Sequence, residues 1–390
     1  MKKSGTRVES EKKSEATLSK NYYIYFLLFC MMITTYLSLT PQTQATTNLP
    51  LDPLYAEQWY LHNRPETSGT NYQYAFELLN RTELTPEQET IRIVFFDAGA
   101  NINHPDLRNN IWTNPGEDGN DADNNGYIDL HGCAFTPVDT SCSDAYQDES
   151  PTQHGMAVIG PVAAEINNIG ITGMNHGINI EAVPVKINSN GIVNFSSIRN
   201  GLEYIQALID SGVKIDIVNM SFASWVNPIY VQDISIMIAE LTAQGVIFVA
   251  GSGNSAGVQP GVGFPANDPN VLAVGGYDEN GDRVANSSYG VELDILAPGK
   301  NIRTLCYEDL YNDGYCTQSG TSIAAPQVTA AIALIKAYRP DSTFEEIQNL
   351  LHQTSGEEFS PERGYGPLNF QNLTNELLLE NKTYLPMITR

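Results

Sequence analysis

Four residues set far apart in the chain, Asp97, His154, Asn254 and Ser322, are of the types that together run an acyl transfer. Cleaving an amide with a serine needs an exposed hydroxyl, a base for its proton, a carboxylate to orient that base, and donors for the oxyanion. Ser322 stands in SGTSIAAPQVTAAIALIKA, where Gly320 and Thr321 turn into an Ala-rich stretch that reads as a helix, with Pro326 in an early turn. A serine at a helix amino terminus aims its own N–H outward, toward developing negative charge. Alone it reads equally as a cap. His154, one of six histidines, opens the apolar run of QHGMAVIGPVAA. Asp97 ends the strand-like IRIVFFDAG, and a carboxylate straight after Ile93-Val94-Phe95-Phe96 is costly to bury unless paired. Asn254, in VIFVAGSGNSAG, can offer its amide beside the Ser322 N–H, although Ser-Gly-Asn also suits a turn. Each sign is weak singly. The set, in the order Asp, His, Asn, Ser, is specific.

Something must carry these residues to one place. Strand candidates are IRIVFFDAG from Ile91, EAVPVKI from Glu181, IDIVNMSF from Ile215, GVIFVAG from Gly245 and NVLAVGG from Asn270. They are apolar on both faces, as strands of a covered parallel sheet are. Helical patterns lie between them. Residues 195–211 open with Ser196 or Ser197 as cap and set Ile198, Leu202, Ile205, Leu208 and Ile209 on one side; residues 341–351 follow Pro340 and open with Asp341, Ser342 and Thr343 as possible caps. This alternation predicts one α/β domain, a doubly wound and mostly parallel sheet flanked by helices, over residues 52–380. In such sheets ligands bind beyond the carboxyl ends of the strands.

The formal net charge of -24 argues against a nucleic-acid partner, since binding one means neutralising phosphates with Lys and Arg. The first 20 residues break the acidic trend with Lys2, Lys3, Arg7, Lys12, Lys13 and Lys20. They read as a cytoplasmic tail before the uncharged apolar run at residues 22–39, which reaches the lower limit of what spans a bilayer. Thr43-Gln44-Ala45 follows, small residues of the kind a signal peptidase reads. Residues 21–40 are thus a membrane anchor or a cleaved signal peptide, 41–51 a short linker and 381–390 a tail. Either alternative exports the remainder, secreted or held at the membrane, and a monomer is expected. With Cys30 inside the apolar run, Cys133, Cys142, Cys306 and Cys316 allow three pairings. The short-range pairs Cys133 with Cys142 and Cys306 with Cys316 suit an oxidising compartment. No histidine at zinc-ligand spacing accompanies them. The segment NDADNNGYIDLHG spaces Asp121, Asp123, Asn125 and Asp129 around Gly126 like the oxygen-ligand stem of a calcium loop, without the bidentate Glu, since Gly132 stands there. Structural calcium is expected, and no organic cofactor.

The chain resembles the subtilisin-like serine peptidases. The resemblance rests on DAGANINHPDL around Asp97, HGMAVIG around His154, VNMSF at Ser221, VAGSGN around Asn254, FPA at Pro265, APG at Pro298 and SGTSIAAP around Ser322. DPLYAEQWYL near the start and GYGPLN at Gly364 extend it to roughly residues 50–372. It implies an endopeptidase acting on proteins or peptides, with Ser322 as nucleophile, His154 as base, Asp97 as its orienting acid and Asn254 as oxyanion donor. It also implies that Ser221, Phe222, Ala223 and Ala250, Gly251, Ser252, Gly253 wall the specificity pocket, their small side chains leaving an open slot. Asp52 and Asp106 match positions that bind a second calcium in some relatives.

The chain departs from the family pattern in places. Ala98 replaces the usual Thr, Ser or Asp, Met156 stands where Thr is commoner, and Pro161 deletes a backbone bond two turns beyond His154. Only residues 40–57 separate the apolar run from QWYL, where relatives usually carry a folding-assistant domain. Folding is therefore expected to rely on calcium, disulfides or a separate chaperone. A non-catalytic surface-binding relative is the alternative, although decay usually removes a triad member or the oxyanion donor, and none is missing. An α/β-hydrolase esterase needs the order Ser, acid, His, which this chain lacks.

Overall fold

The computed structural model describes residues 52–62, 68–81, 86–87, 90–117, 119–137, 140–142, 153–175, 177–189, 191–307 and 313–380. The basic tail, the apolar run, the linker and residues 381–390 lie outside them. Among the described residues no helix is long and apolar enough to cross a membrane.

The frame is a sheet of β1 (Thr90–Asp97), β2 (Cys133–Ala134), β3 (Asn179–Lys186), β6 (Ile217–Met220), β7 (Ile247–Gly251), β8 (Val271–Tyr277) and β9 (Ile295–Pro298). Every pairing in it is parallel, in the order β2-β3-β1-β6-β7-β8-β9. Hairpins of β4 (Asn188–Ser189) with β5 (Ile192–Val193), and of β10 (Ile302–Leu305) with β11 (Tyr315–Gln318), stand apart. All five strand segments read from the sequence form. The strand β9 was not among them, because ILAP is four residues long and ends in proline, which reads as a loop. Strand order reverses at β1, with β3 on one side and β6 on the other, and Asp97 is the last residue of β1 at that switch point.

Helices cover both faces, which is why the strands are largely apolar on both. They are α1 (Tyr72–Arg81), α2 (His154–Ala163), α3 (Phe195–Asp210), α4 (Gln232–Ala243), α5 (Thr321–Tyr338), α6 (Phe344–Ser355) and α7 (Phe370–Glu380). Parallel register sets Phe95 beside Asn219 and Phe96 beside Met220, on opposite faces. Thr329 of α5 hydrogen-bonds Asn219 on one face, while Gly201 of α3 packs onto the Phe96 ring on the other. The first residue of α3 is Phe195, and its cap is Asn194 without a side-chain bond, not Ser196 or Ser197. In α6 the helix opens at Phe344 under a reciprocal Thr343–Glu346 capping box, three residues beyond Asp341.

Pro161 lies inside α2, so the Ala157 carbonyl loses its helical donor. The Thr304 hydroxyl of β10 supplies one at 2.7 Å. Gly160 makes the approach possible, since a Cβ there would lie 2.3 Å from Thr304 Oγ1.

Asp52 and Asp106 meet at the loop 165–172. Asp52 Oδ1 accepts from the Asn167 and Asn168 N–H groups at 3.1 and 2.8 Å, and Oδ2 from the Thr172 hydroxyl at 2.6 Å. Asp106 Oδ2 accepts from the Ile171 N–H at 3.0 Å, while its Oδ1 is buried without a hydrogen bond of normal geometry. Burial above all, and then the neighbouring Asp52 charge, pushes the Asp106 carboxyl up to about 8. Asp52 is thus spent on holding the loop, and Asp106 faces the Tyr315 hydroxyl as well as the Ile171 N–H.

Two predictions follow from this packing. Thr304→Val strands the buried Ala157 carbonyl and lowers unfolding free energy by about 1–3 kcal/mol, whereas Thr304→Ser keeps the donor. Urea unfolding of the pair checks this, and a Val variant as stable as the Ser variant contradicts it. The raised Asp106 carboxyl means the folded state holds its proton more tightly than the unfolded chain. Its stability contribution is then full below the ordinary value of 3.8 and is lost as pH rises through about 8. In calcium-free buffer Asp106→Asn flattens the fall in melting temperature across that window, and an unchanged slope counts against the assignment.

Candidate active site

Asp97 is fixed first. It ends β1, is 3% exposed, and its Oδ1 accepts from the Ala98 N–H at 2.8 Å. A buried carboxylate needs more than one backbone donor to offset lost hydration. The second partner is His154, whose Nδ1 lies 2.7 Å from Oδ1 and 2.9 Å from Oδ2. His154 is the first residue of α2, so the helix is anchored at its amino end to the carboxyl end of β1. Two glycines permit this. Gly99 leaves Asp97 with φ +99°, and a Cβ on Gly155 would lie 1.9 Å from the Gly99 carbonyl oxygen. Gln153, before the histidine, has φ +52°, and its side-chain oxygen accepts from the Tyr307 N–H. Tyr307 follows Cys306, which is joined to Cys316; Cys133 is joined to Cys142. Met156 also serves this junction, its sulfur accepting from the Asn101 N–H at 3.0 Å.

Ser322 is the second residue of α5 and is half-buried. Pro326, four residues on, removes the N–H that would otherwise bond the Ser322 carbonyl. That carbonyl instead accepts from the Ser221 hydroxyl at 2.8 Å. Ser221 is held by Asn219 Nδ2 at 2.9 Å, and Asn219 Oδ1 accepts from the Thr329 hydroxyl at 3.0 Å. A buried polar chain thus ties β6 to the start of α5. Gly320, with φ +146°, turns the backbone into the helix. Asn254 lies just beyond β7, and its Oδ1 accepts from the Thr321 N–H at 2.9 Å. Only oxygen can accept from that donor, so the amide NH₂ is turned the other way, next to Gly320. Among the described residues the Ser322 N–H has no backbone acceptor, as befits a first helical turn.

His154 and Ser322 line one cavity of about 680 Å³. Of the residues expected to wall a pocket, Ser221, Phe222 and Ala223 line it too. Ala250 and Gly251 instead lie within β7, the Ser252 hydroxyl donates to the Ser288 carbonyl at 2.8 Å, and Gly253 is covered by Ala223 and Trp225. The sequence reading missed the far wall, formed by Asn188, Gly191, Ile192 and Val193 of the β4–β5 hairpin with Phe195 and Ile198. Its signal is Asn190-Gly191 between short β-prone runs, a two-residue hairpin turn.

At the acidic loop, Glu117, Asp121 and Asp123 each bring a carboxylate oxygen within 4.8 Å of the others. Both oxygens of Glu117 and Asp121 Oδ1 are buried without a hydrogen bond of normal geometry. Burial, then the charges of Asp129 and Asp123, pushes the Glu117 carboxyl up. A hard cation fits this donor set. Asp129 faces the Tyr204 hydroxyl and Asn114 Nδ2, and Asn125 bonds Asp123 and the Tyr127 N–H. Glu117, upstream of the loop, stands with Asp121 and Asp123 in this cluster, and the sequence reading did not include it.

The chain is 31% identical over 267 residues to subtilisin amylosacchariticus of Bacillus subtilis subsp. amylosacchariticus, covering 68% of this chain and 60% of that protein. Subtilisin J of Geobacillus stearothermophilus matches with the same identity and the same coverage. Alkaline elastase YaB of Bacillus sp. (strain YaB) is 34% identical over 224 residues, 57% of this chain and 54% of the relative. The chain thus spans about 60% of the length of the first two relatives. The model of the subtilase family matches residues 89–367, a span that holds Asp97, His154, Asn254 and Ser322, and the chain belongs to that family.

Proposed function

We propose that the protein is a serine endopeptidase in which Asp97, His154 and Ser322 form the catalytic triad and Asn254 the oxyanion donor. The observation that carries this reading is the His154 Nδ1 contact of 2.7 Å with a buried Asp97, at a cavity shared with Ser322. Bonding of Nδ1 to the carboxylate fixes the proton on that nitrogen and leaves Nε2 as the basic lone pair. Nε2 takes the Ser322 hydroxyl proton as Oγ bonds to the peptide carbonyl carbon. The resulting imidazolium is stabilised by Asp97 and then gives its proton to the leaving amine. Negative charge on the carbonyl oxygen meets Asn254 Nδ2 and the Ser322 N–H, both fixed before substrate arrives. Water then repeats the sequence on the acyl-enzyme. The substrate is an extended peptide laid beside segment 221–224, with apolar side chains fitting the wall of Ile192, Val193 and Phe222.

Calcium at Glu117, Asp121 and Asp123 is part of the same reading. It would neutralise three clustered carboxylates and hold the loop between β1 and β2, a structural and not a chemical role. Two disulfides support residence outside the cytoplasm. The membrane anchor or signal at residues 21–40 remains an expectation from sequence.

A fluorophosphonate probe labels the folded protein and fails to label Ser322→Ala. Absence of labelling on folded protein overturns the peptidase reading. Asn254→Ala lowers kcat about 10²- to 10³-fold with little change in KM. Removing calcium with EGTA lowers the melting temperature, and Glu117→Gln reduces that drop. A melting temperature indifferent to EGTA contradicts the metal site.

A further inference from the structure

Beside the proposed nucleophile, the walls of the substrate crevice are not open. The residue whose carbonyl is attacked must place that carbonyl between Ser322 and Asn254. Its side chain, one bond further on, then projects between the two segments that flank this point. One is 221–224, tied to the Ser322 carbonyl through Ser221, and the other is 252–254, which carries Asn254. Backbone hydrogen bonds close the crevice below. The Gly263 N–H donates to the Ser252 carbonyl at 3.0 Å, and Ser224 and Phe264 exchange bonds of 2.7 and 2.8 Å.

Two side chains already occupy that space. A Cβ built on Gly253 would lie 2.5 and 2.8 Å from Cη2 and Cζ2 of Trp225, so the indole edge rests on the bare glycine backbone. The same Cβ would lie 3.2 Å from the Ala223 methyl, and one built on Gly263 would lie 2.9 Å from it. Gly253 has φ +107° and Gly263 lacks a side chain, so both walls are as thin as a backbone allows, and the room they leave is taken by Trp225 and Ala223. The indole is tethered as well as packed, with Nε1 donating to the Gly261 carbonyl at 3.4 Å.

We propose that Trp225 and Ala223 set the specificity of the site by restricting the substrate residue on the amino side of the cleaved bond to Gly, Ala or Ser. This rests on the peptidase reading above. An aromatic side chain entering the crevice would have to displace the indole from Gly253 and break its bond to Gly261. Overfilling a packed site in this way is resisted.

The test compares two fluorogenic peptides identical except for Ala or Phe before the scissile bond. The native protein favours Ala in kcat/KM by about 10- to 200-fold, the range that pocket size alone supplies. Trp225→Ala and, independently, Ala223→Gly raise kcat/KM for the Phe peptide and shrink the ratio. The Gly variant removes only a methyl and guards against loss of fold in the other. A native protein that labels with fluorophosphonate yet cleaves Phe as fast as Ala overturns this inference and leaves the peptidase reading standing. Labelling with a ratio unmoved by either substitution also overturns the assignment to Trp225 and Ala223. A folded protein that neither labels nor cleaves removes the peptidase reading, and the inference with it.

Discussion

The fold must bury a carboxylate at the end of a strand with an apolar run before it, and much of the neighbouring architecture answers to that demand. Asp97 is 3% exposed, directly after four buried apolar residues. One N–H from Ala98 does not restore the hydration of a charge, so a polar side chain has to be brought to it. His154 comes from a helix whose amino end can reach the strand end only because Gly155 has no side chain against the Gly99 carbonyl, with Gly99 itself at φ +99°. Gln153 and Tyr307 then lock the approach from the far side, next to a disulfide. An imidazole held in this way has its Nδ1 committed to the carboxylate, and the proposed mechanism uses that orientation.

The helices that carry His154 and Ser322 share a second device. Each contains a proline, at 161 and 326, and each proline leaves a carbonyl one turn earlier without its helical donor. Both carbonyls are met by a hydroxyl from outside the helix, Thr304 for Ala157 and Ser221 for Ser322. A bond that would have stayed within a helix is thereby turned into one between elements. In α5 the effect is direct, since the orphaned carbonyl belongs to Ser322 and its new donor belongs to a wall of the cavity. The departure at Pro161, which reads as a defect in one dimension, is compensated in three.

Much of this was legible in the sequence because the signals are local. Apolar runs marked β1, β3, β6, β7 and β8, and the motif residues fell at their carboxyl ends or at helix starts, where α/β folds present ligands. What escaped depends on contacts between distant segments. Glu117 lies upstream of the acidic loop whose carboxylates it joins, so a ligand pattern read forward from Asp121 could not include it. The hairpin at 188–193 forms a cavity wall only once β3 and α3 are placed. Gly253 looked like part of an open slot because small residues imply space, but the space belongs to Trp225, 28 positions earlier by the numbering. Composition shows where room could be made and is silent on what fills it.

The central claim is that the Asp97–His154 pair exists to hold the imidazole for chemistry and not merely to satisfy a buried charge. Asp97→Asn separates the two, because the amide keeps the shape and a hydrogen bond while favouring the wrong imidazole tautomer. Steady-state kinetics of this variant on a peptide substrate is the direct measurement. The account predicts a fall in kcat of about 10⁴-fold with KM and the unfolding midpoint nearly unchanged. A variant with near-native kcat, or one whose loss of activity only follows a loss of folded protein, contradicts it.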